Sequence, residues 1–144
     1  MIRIDFPKHL YKIKTENNND FIYDTIRRGW FLLTPEEWVR QNIIQYLTTI
    51  KKYPPKLIAI EKEIKVGELK KRFDIVIYKD DNPWMIVECK QMDIKLDEKT
   101  LQQILTYQSK VQAVFLAITN GNSSYLLQKI NNHFIAVSAF PEWI

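Results

Sequence analysis

The stretch Arg72–Lys90, "RFDIVIYKDDNPWMIVECK", decides how this chain is read. Two runs rich in β-branched and aromatic residues flank a polar break, "KDDNP", the pattern of two strands joined by a tight connection. If the strands pair symmetrically about Asp81, Asp74 comes opposite Glu88 and Arg72 opposite Lys90. Cross-strand neighbours have Cβ atoms about 4.5–5.5 Å apart. Ile75, Ile77, Met85, Val87 and Cys89 then share one face. Val76, Ile86 and Trp84 share the other with the charged residues. Both faces are apolar, so both are expected to be covered. Glu88 and Lys90, two apart, emerge together from the end of a buried strand.

Two carboxylates side by side on a covered sheet repel, and one is driven toward protonation. A divalent cation relieves that conflict. Carboxylate oxygens suit Mg²⁺ or Mn²⁺, ions that keep several waters and bind phosphate directly. A protonated lysine beside them cannot be a ligand, but it can orient water or neutralise charge developing on a phosphate. The bland alternative is a surface ion pair at a strand end.

Outward from this hairpin, the sequence reads as helix, strands, helix, strand, which predicts an α/β fold with a mixed central β-sheet flanked by helices. "TPEEWVRQNIIQYLTTI" is the clearest helix. Thr34 suits the N-cap, Pro35 the first turn, and Glu37, three residues on, a capping box. "LDEKTLQQILTYQSKV" is the second helix, with Leu101, Ile104 and Leu105 inward. "KLIAIEKEI" and "AVFLAIT" read as strands. "IRIDF" and "LYKIKT" read as short strands of a β lead-in over residues 1–33, with "FIYDTIRRGWFLL" a hairpin or a bent strand. "YLLQKI" and "HFIAVSAF" close the chain over 121–144. One domain, 1–144, with its core at 34–120, is the expected organisation.

The totals narrow the chemistry. Of 144 residues, 46% are hydrophobic and three are glycine, which excludes a low-complexity chain. No apolar run has the length of a membrane span and no signal-peptide pattern opens the sequence, so a cytoplasmic protein without a membrane partner is expected. A single cysteine forbids an internal disulfide, and with only His9 and His133 it argues against a zinc site. There is no G-x-S-x-G, and "ITNGNSSYLL" lacks the GK[ST] of a phosphate loop. The formal charge of +4 is compatible with a nucleic-acid partner. Lys65, Lys70, Lys71 and Arg72, in "EKEIKVGELKKR", are the candidate phosphate contacts. Cys89 alternates inward and reads as a small core residue.

Asp74 followed by Glu88-Cys89-Lys90 resembles the D…(D/E)xK motif of the PD-(D/E)XK nuclease superfamily, and Phe73 stands where the motif has a proline that shapes backbone and supplies no ligand. In order, "PEEWVRQ", "RFDIVIY", "IVECK", "QILTYQ" and "AITNG" resemble landmarks of the N-terminal nuclease domain of type I restriction enzyme R subunits, over roughly residues 20–140. The resemblance implies a restriction-endonuclease-like core and a Mg²⁺- or Mn²⁺-dependent deoxyribonuclease. Asp74 and Glu88 would be the metal carboxylates, the Cys89 backbone carbonyl a further ligand, and Lys90 the group that acts on water. An acid on the first helix would complete the site. Glu36, four residues before Arg40, is favoured, with Glu37 the alternative. Gln103 and Tyr107, on one helix face, would steady Lys90 or contact the DNA backbone. DNA is the implied substrate. R subunits carry a helicase-like motor that these residues do not contain, so a separate motor or specificity subunit is an implied partner. The rival expectation is a nuclease-fold module that binds nucleic acid or a partner protein without cutting.

Overall fold

In a computed structural model of the chain, residues 1–108 and 110–144 are described, except the side chain of Tyr107. Among them the chain forms nine strands and two α-helices. The central sheet has six strands in the order β4 (Ile58–Val66), β5 (Leu69–Lys79), β6 (Asn82–Cys89), β7 (Phe115–Thr119), β8 (Ser124–Ile130) and β9 (His133–Val137). All neighbours are antiparallel except β6 and β7, which are parallel. A parallel pair needs a crossover, and α2 (Glu98–Gln108) supplies it. This is a mixed sheet between helices, an α/β fold consistent with a restriction-endonuclease-like core.

Both faces of the sheet are covered, as the apolar runs require. Val39, Ile43, Ile44 and Leu47 of α1 (Pro35–Gln45) and the turn after it pack on Ile75, Ile77, Met85, Val87 and Cys89. Leu105 of α2 packs on the opposite cluster of Phe73, Val76, Ile86 and Leu116. Thr34 caps α1, its hydroxyl accepting the Glu37 N–H at 3.0 Å. The capping box is only half made. Thr34 N–H bonds Leu32 O, and the Glu37 carboxylate goes elsewhere. After Gln45 the helix widens into a π-helical turn, Tyr46–Ile50, where the Thr48 and Thr49 hydroxyls bond back to Ile44 and Gln45 carbonyls.

A second, three-stranded sheet joins β1 (Ile13–Glu16), β2 (Asn19–Asp24) and β3 (Gly29–Leu32). The expected hairpin is β2–β3. "LYKIKT" is strand only in its second half. "IRIDF" is not a strand, and Ile2 makes a single bridge to Ser124. Pro7 lacks the N–H that a continuous ladder would need there.

With three glycines available, the hairpin turns use Asn and Asp in the left-handed region. Asn17–Asn18, Asp80–Asp81 and Asn131–Asn132 all have φ between 50° and 65°. Short polar side chains tolerate that conformation, and two such residues in succession form the type I′ turn whose twist matches the strands. The "KDDNP" connection is therefore tighter than expected. Lys79 pairs with Asn82 across Asp80–Asp81 alone. Trp84 is then an extra, unpaired residue, a bulge that restores the expected register from Ile77↔Met85 to Ile75↔Val87. The bulge also turns Trp84 to the α1 face, contrary to its expected place beside Ile86. There it packs edge-on against Tyr53, Phe115 and Trp143.

Candidate functional site

Asp74 sits where β5 loses its alternation. Ile75 belongs to the α1-side core and Phe73 to the α2-side core. The β4–β5 ladder pairs Ile60 with Ile75 and Lys62 with Phe73 but skips Glu61 and Asp74. Glu61 has φ 51°, a conformation costing a non-glycine residue of order 1–3 kcal/mol. This distortion frees the Asp74 carboxylate from the ladder. One oxygen accepts the Cys89 N–H at 2.8 Å, and the other accepts from Arg40 Nη2 at 3.1 Å. Asp74 is thereby tied to the end of β6 and to α1.

Glu88 and Lys90 follow at that end. The two carboxyl groups of Glu88 and Asp74 are within hydrogen-bonding reach. Burial first, and then the Asp74 charge, push the Glu88 carboxyl up to about 8. Lys90 Nζ lies 3.7 Å from Glu88 Oε1. Lys90 leaves the β5–β6 ladder, its N–H donating to Thr119 O at 2.8 Å. The expected Arg72–Lys90 pairing does not form, because β5 below Asp74 pairs only with β4, Arg72 opposite Glu63.

Glu88 has a partner that the sequence reading passes over. Gln108 Nε2 donates to Glu88 Oε2 at 2.7 Å, and the Gln108 side chain is buried with Oε1 unpartnered. Gln103, chosen for its spacing from Tyr107, is exposed on α2. Helix geometry separates these glutamines. The inward stripe Leu101, Ile104, Leu105 continues at Gln108, four residues beyond Ile104, whereas Gln103 lies off it. A polar residue on the apolar stripe was the available signal. The side chain of Tyr107 lies outside the described residues.

The α1 acids separate sharply. Glu37 is buried and accepts from Arg27 Nη2 and Arg40 Nη1, both at 2.8 Å, and from Gln41 at 3.1 Å. Glu36 is half-exposed, 3.6 Å from Arg40, and its carboxyl is raised by burial and by the Asp74 charge. Glu36 thus senses Asp74, while Glu37 is committed to the two arginines. Arg40 joins Glu37 to Asp74, with Glu61 at 3.6 Å. Arg27, itself held by buried Asp24 at 2.6 Å, extends the chain of charges into the N-terminal sheet. Asp24 and Arg27 lie in one turn and Glu61 in β4, and no spacing in the sequence links them to Asp74.

A cleft of about 460 Å³ opens against Glu36, Arg40, Glu61 and Gln91. The β4–β5 hairpin runs past the end of β6, its two-residue turn starting at Gly67 with φ 62°. Lys65, Lys70 and Arg72 are exposed on that arm. Lys71 is a correction to the expected phosphate contacts, since its side chain is buried and engaged within the protein. Cys89 is fully buried, and burial raises its thiol well above the ordinary range, in keeping with a core residue.

Could these residues hold a metal ion? Among the described residues no three His, Cys, Asp or Glu side chains form a ready cage. The donors that are present, two adjacent carboxylates with a third acid nearby, are hard oxygen ligands. An ion that keeps most of its waters needs only one or two of them, so the set fits Mg²⁺ or Mn²⁺. The raised Glu88 marks the negative charge that such an ion would neutralise.

The fold is α/β, consistent with a restriction-endonuclease-like core, and clustered acids and a lysine lie at the open end of its mixed sheet. Comparison with protein families matches residues 35–141 to the type I restriction enzyme R protein N terminus (HSDR_N), and the chain belongs to this family. No curated protein matches it. The matched region takes in α1 and the whole central sheet and leaves out the N-terminal sheet that supplies Arg27. Among the described residues, no helix is long and apolar enough to cross a membrane.

Proposed function

We propose that this chain is a metal-dependent deoxyribonuclease that hydrolyses phosphodiester bonds in DNA. The observation that carries the reading is the convergence of Asp74, Glu88 and Lys90, with the Glu88 carboxyl raised to about 8 beside a second carboxylate. A structural ion pair gains nothing from that like-charge contact. Asp74 and Glu88 would hold Mg²⁺ or Mn²⁺, with the Cys89 carbonyl and Glu36 completing the shell. The ion would supply charge stabilisation at the scissile phosphate.

The chain's own residues do the rest. Lys90 presents an ammonium to the phosphate and orients the attacking water. Gln108 holds Glu88 in place, and Arg40 holds Asp74. Lys65, Lys70 and Arg72, on the projecting hairpin, give the DNA backbone its cationic contacts. Among the described residues no base-reading element stands out, so these contacts serve to position the DNA backbone.

The test is cleavage of single-stranded, linear and supercoiled DNA with Mg²⁺, Mn²⁺ or EDTA, alone and with a motor or specificity subunit. Calorimetric Mn²⁺ titration of wild-type and Asp74→Ala protein accompanies it. Metal-dependent cutting and a heat signal lost in Asp74→Ala are expected, and equal heat in both proteins would remove the metal assignment. The second reading, a module that binds without cutting, draws on the Arg40–Asp74 bond, which already neutralises one carboxylate. DNA affinity without cleavage under every condition would select it.

A further inference from the structure

A second cleft, of about 490 Å³, adjoins the first around the start of α1. The two share Thr34, Pro35 and Gln91, so one passes into the other. Its chemistry differs. Leu33 and Trp38 line it together with Met92 and Asp93. Trp38 is 36% exposed and Met92 46%, and Ile94, on the same loop, is 38% exposed. Tyr11 packs edge-on against the indole at 5.0 Å and fixes its orientation. A large apolar group left open beside a charged site marks a binding surface.

From this lining we infer that the cleft is a subsite for an unpaired nucleobase next to the scissile phosphate, so that the substrate is single-stranded DNA. The inference rests on the hydrolase reading and names its substrate class. An indole and a thioether offer flat, polarisable contact to the face of a base. The Gln91 amide offers a donor and an acceptor, and the Asp93 carboxylate an acceptor, to its edge. A sugar-phosphate chain alone has no use for the apolar wall, and a base inside a duplex is already stacked and cannot reach it. Gln91 directly follows Lys90, so a strand whose phosphate meets Lys90 brings its neighbouring base to this cleft.

Binding is measured without cleavage, in EDTA and then in Ca²⁺, by anisotropy of an end-labelled oligothymidylate. An abasic strand of equal length and a blunt duplex serve as comparisons. Wild type should prefer the oligothymidylate, and Trp38→Ala should weaken it by about ten-fold, the scale of one lost stacked base. Trp38→Phe should retain most of the affinity. Met92→Ser, on an exposed loop, should weaken binding without a change in melting temperature. Equal affinity for abasic and normal strands, or wild-type affinity in both Trp38→Ala and Met92→Ser, would overturn the subsite. So would unchanged DNA affinity with loss of self-association, which would make a second copy the occupant. Base-dependent binding by a protein that never cuts would remove the hydrolase reading alone, and cutting that ignores bases would remove the subsite alone.

Discussion

The β5–β6 and β8–β9 hairpins are built alike and serve different ends. Each turns on two Asx residues at positive φ, Asp80–Asp81 and Asn131–Asn132. One lies at the middle of the sheet with both faces covered. The other forms the edge, where His133 and Ile135 are exposed. A lysine on the edge hairpin, Lys129, lies over the Phe134 ring and needs nothing further. A carboxylate at the open end of the central hairpin, Glu88, is desolvated, meets a second acid, and is raised to about 8. The turn makes the hairpin, and burial together with neighbouring elements makes the chemistry.

The largest test of that contrast is paired lysine substitution. Lys90→Ala should abolish DNA cleavage while sparing metal affinity, and Lys129→Ala should change neither. A DNA cleavage assay beside metal calorimetry reads both, and full activity in Lys90→Ala would end its assignment.

The next effect lies beneath the central hairpin, on α1. Glu37→Gln removes the charge that compensates two guanidinium groups, so stability should fall by about 3 kcal/mol, well beyond the loss of a helix cap. Glu36→Gln should leave the denaturation midpoint nearly unchanged and cut activity by orders of magnitude. Urea unfolding and the cleavage rate separate the two, and equal destabilisation by both would erase the distinction between them.

Glu88 makes the contrast pH-dependent. Its carboxyl titrates near 4.5 in the unfolded chain and about 8 in the folded one, so the folded state binds more protons between those values. The metal-free protein should therefore lose stability as pH rises from about 4.5 to about 8 and then level off. Glu88→Gln should flatten that slope. Scanning calorimetry across this range checks it, and parallel slopes in the two proteins would show that another group sets the dependence.

The smallest effect tests the claim that the turns are equivalent. Asp81→Gly and Asn132→Gly each relieve a left-handed side chain, and each should shift stability by less than about 1 kcal/mol without touching cleavage. A loss of activity in Asp81→Gly alone would mean that this turn helps to place the site.

Much of the site was legible because its signals are local. Asp74, Glu88 and Lys90 lie within one hairpin, which makes them neighbours, although the break in β5 alternation at Asp74 and the turn of Lys90 toward Thr119 are tertiary features. The Trp84 bulge shows how narrow that success is, since a shorter turn and an extra residue cancel to leave Ile75 opposite Val87. Without the bulge every side chain past it would face the other way. Gln108 was within reach of the same logic, as a polar position on an apolar helical stripe, but Q-x-x-x-Y spacing drew attention to Gln103 on the exposed face.

What the sequence determined by itself were the elements and their faces, because hydrophobic period, caps and turn residues act over a few positions: α1 from Thr34, the three Asx turns, and two apolar faces on β5 and β6. What only the tertiary structure decided was which charges meet. Arg27, Glu37, Arg40, Glu61 and Asp74 come from the β2–β3 turn, α1, β4 and β5, and they meet because packing brings these elements together and buried charges need opposite charges beside them. Lys71 was turned inward for the same reason that Glu36 and Glu37 parted. Neighbours in sequence share a helix or strand, but burial and charge compensation are settled by whatever the rest of the chain lays against each side.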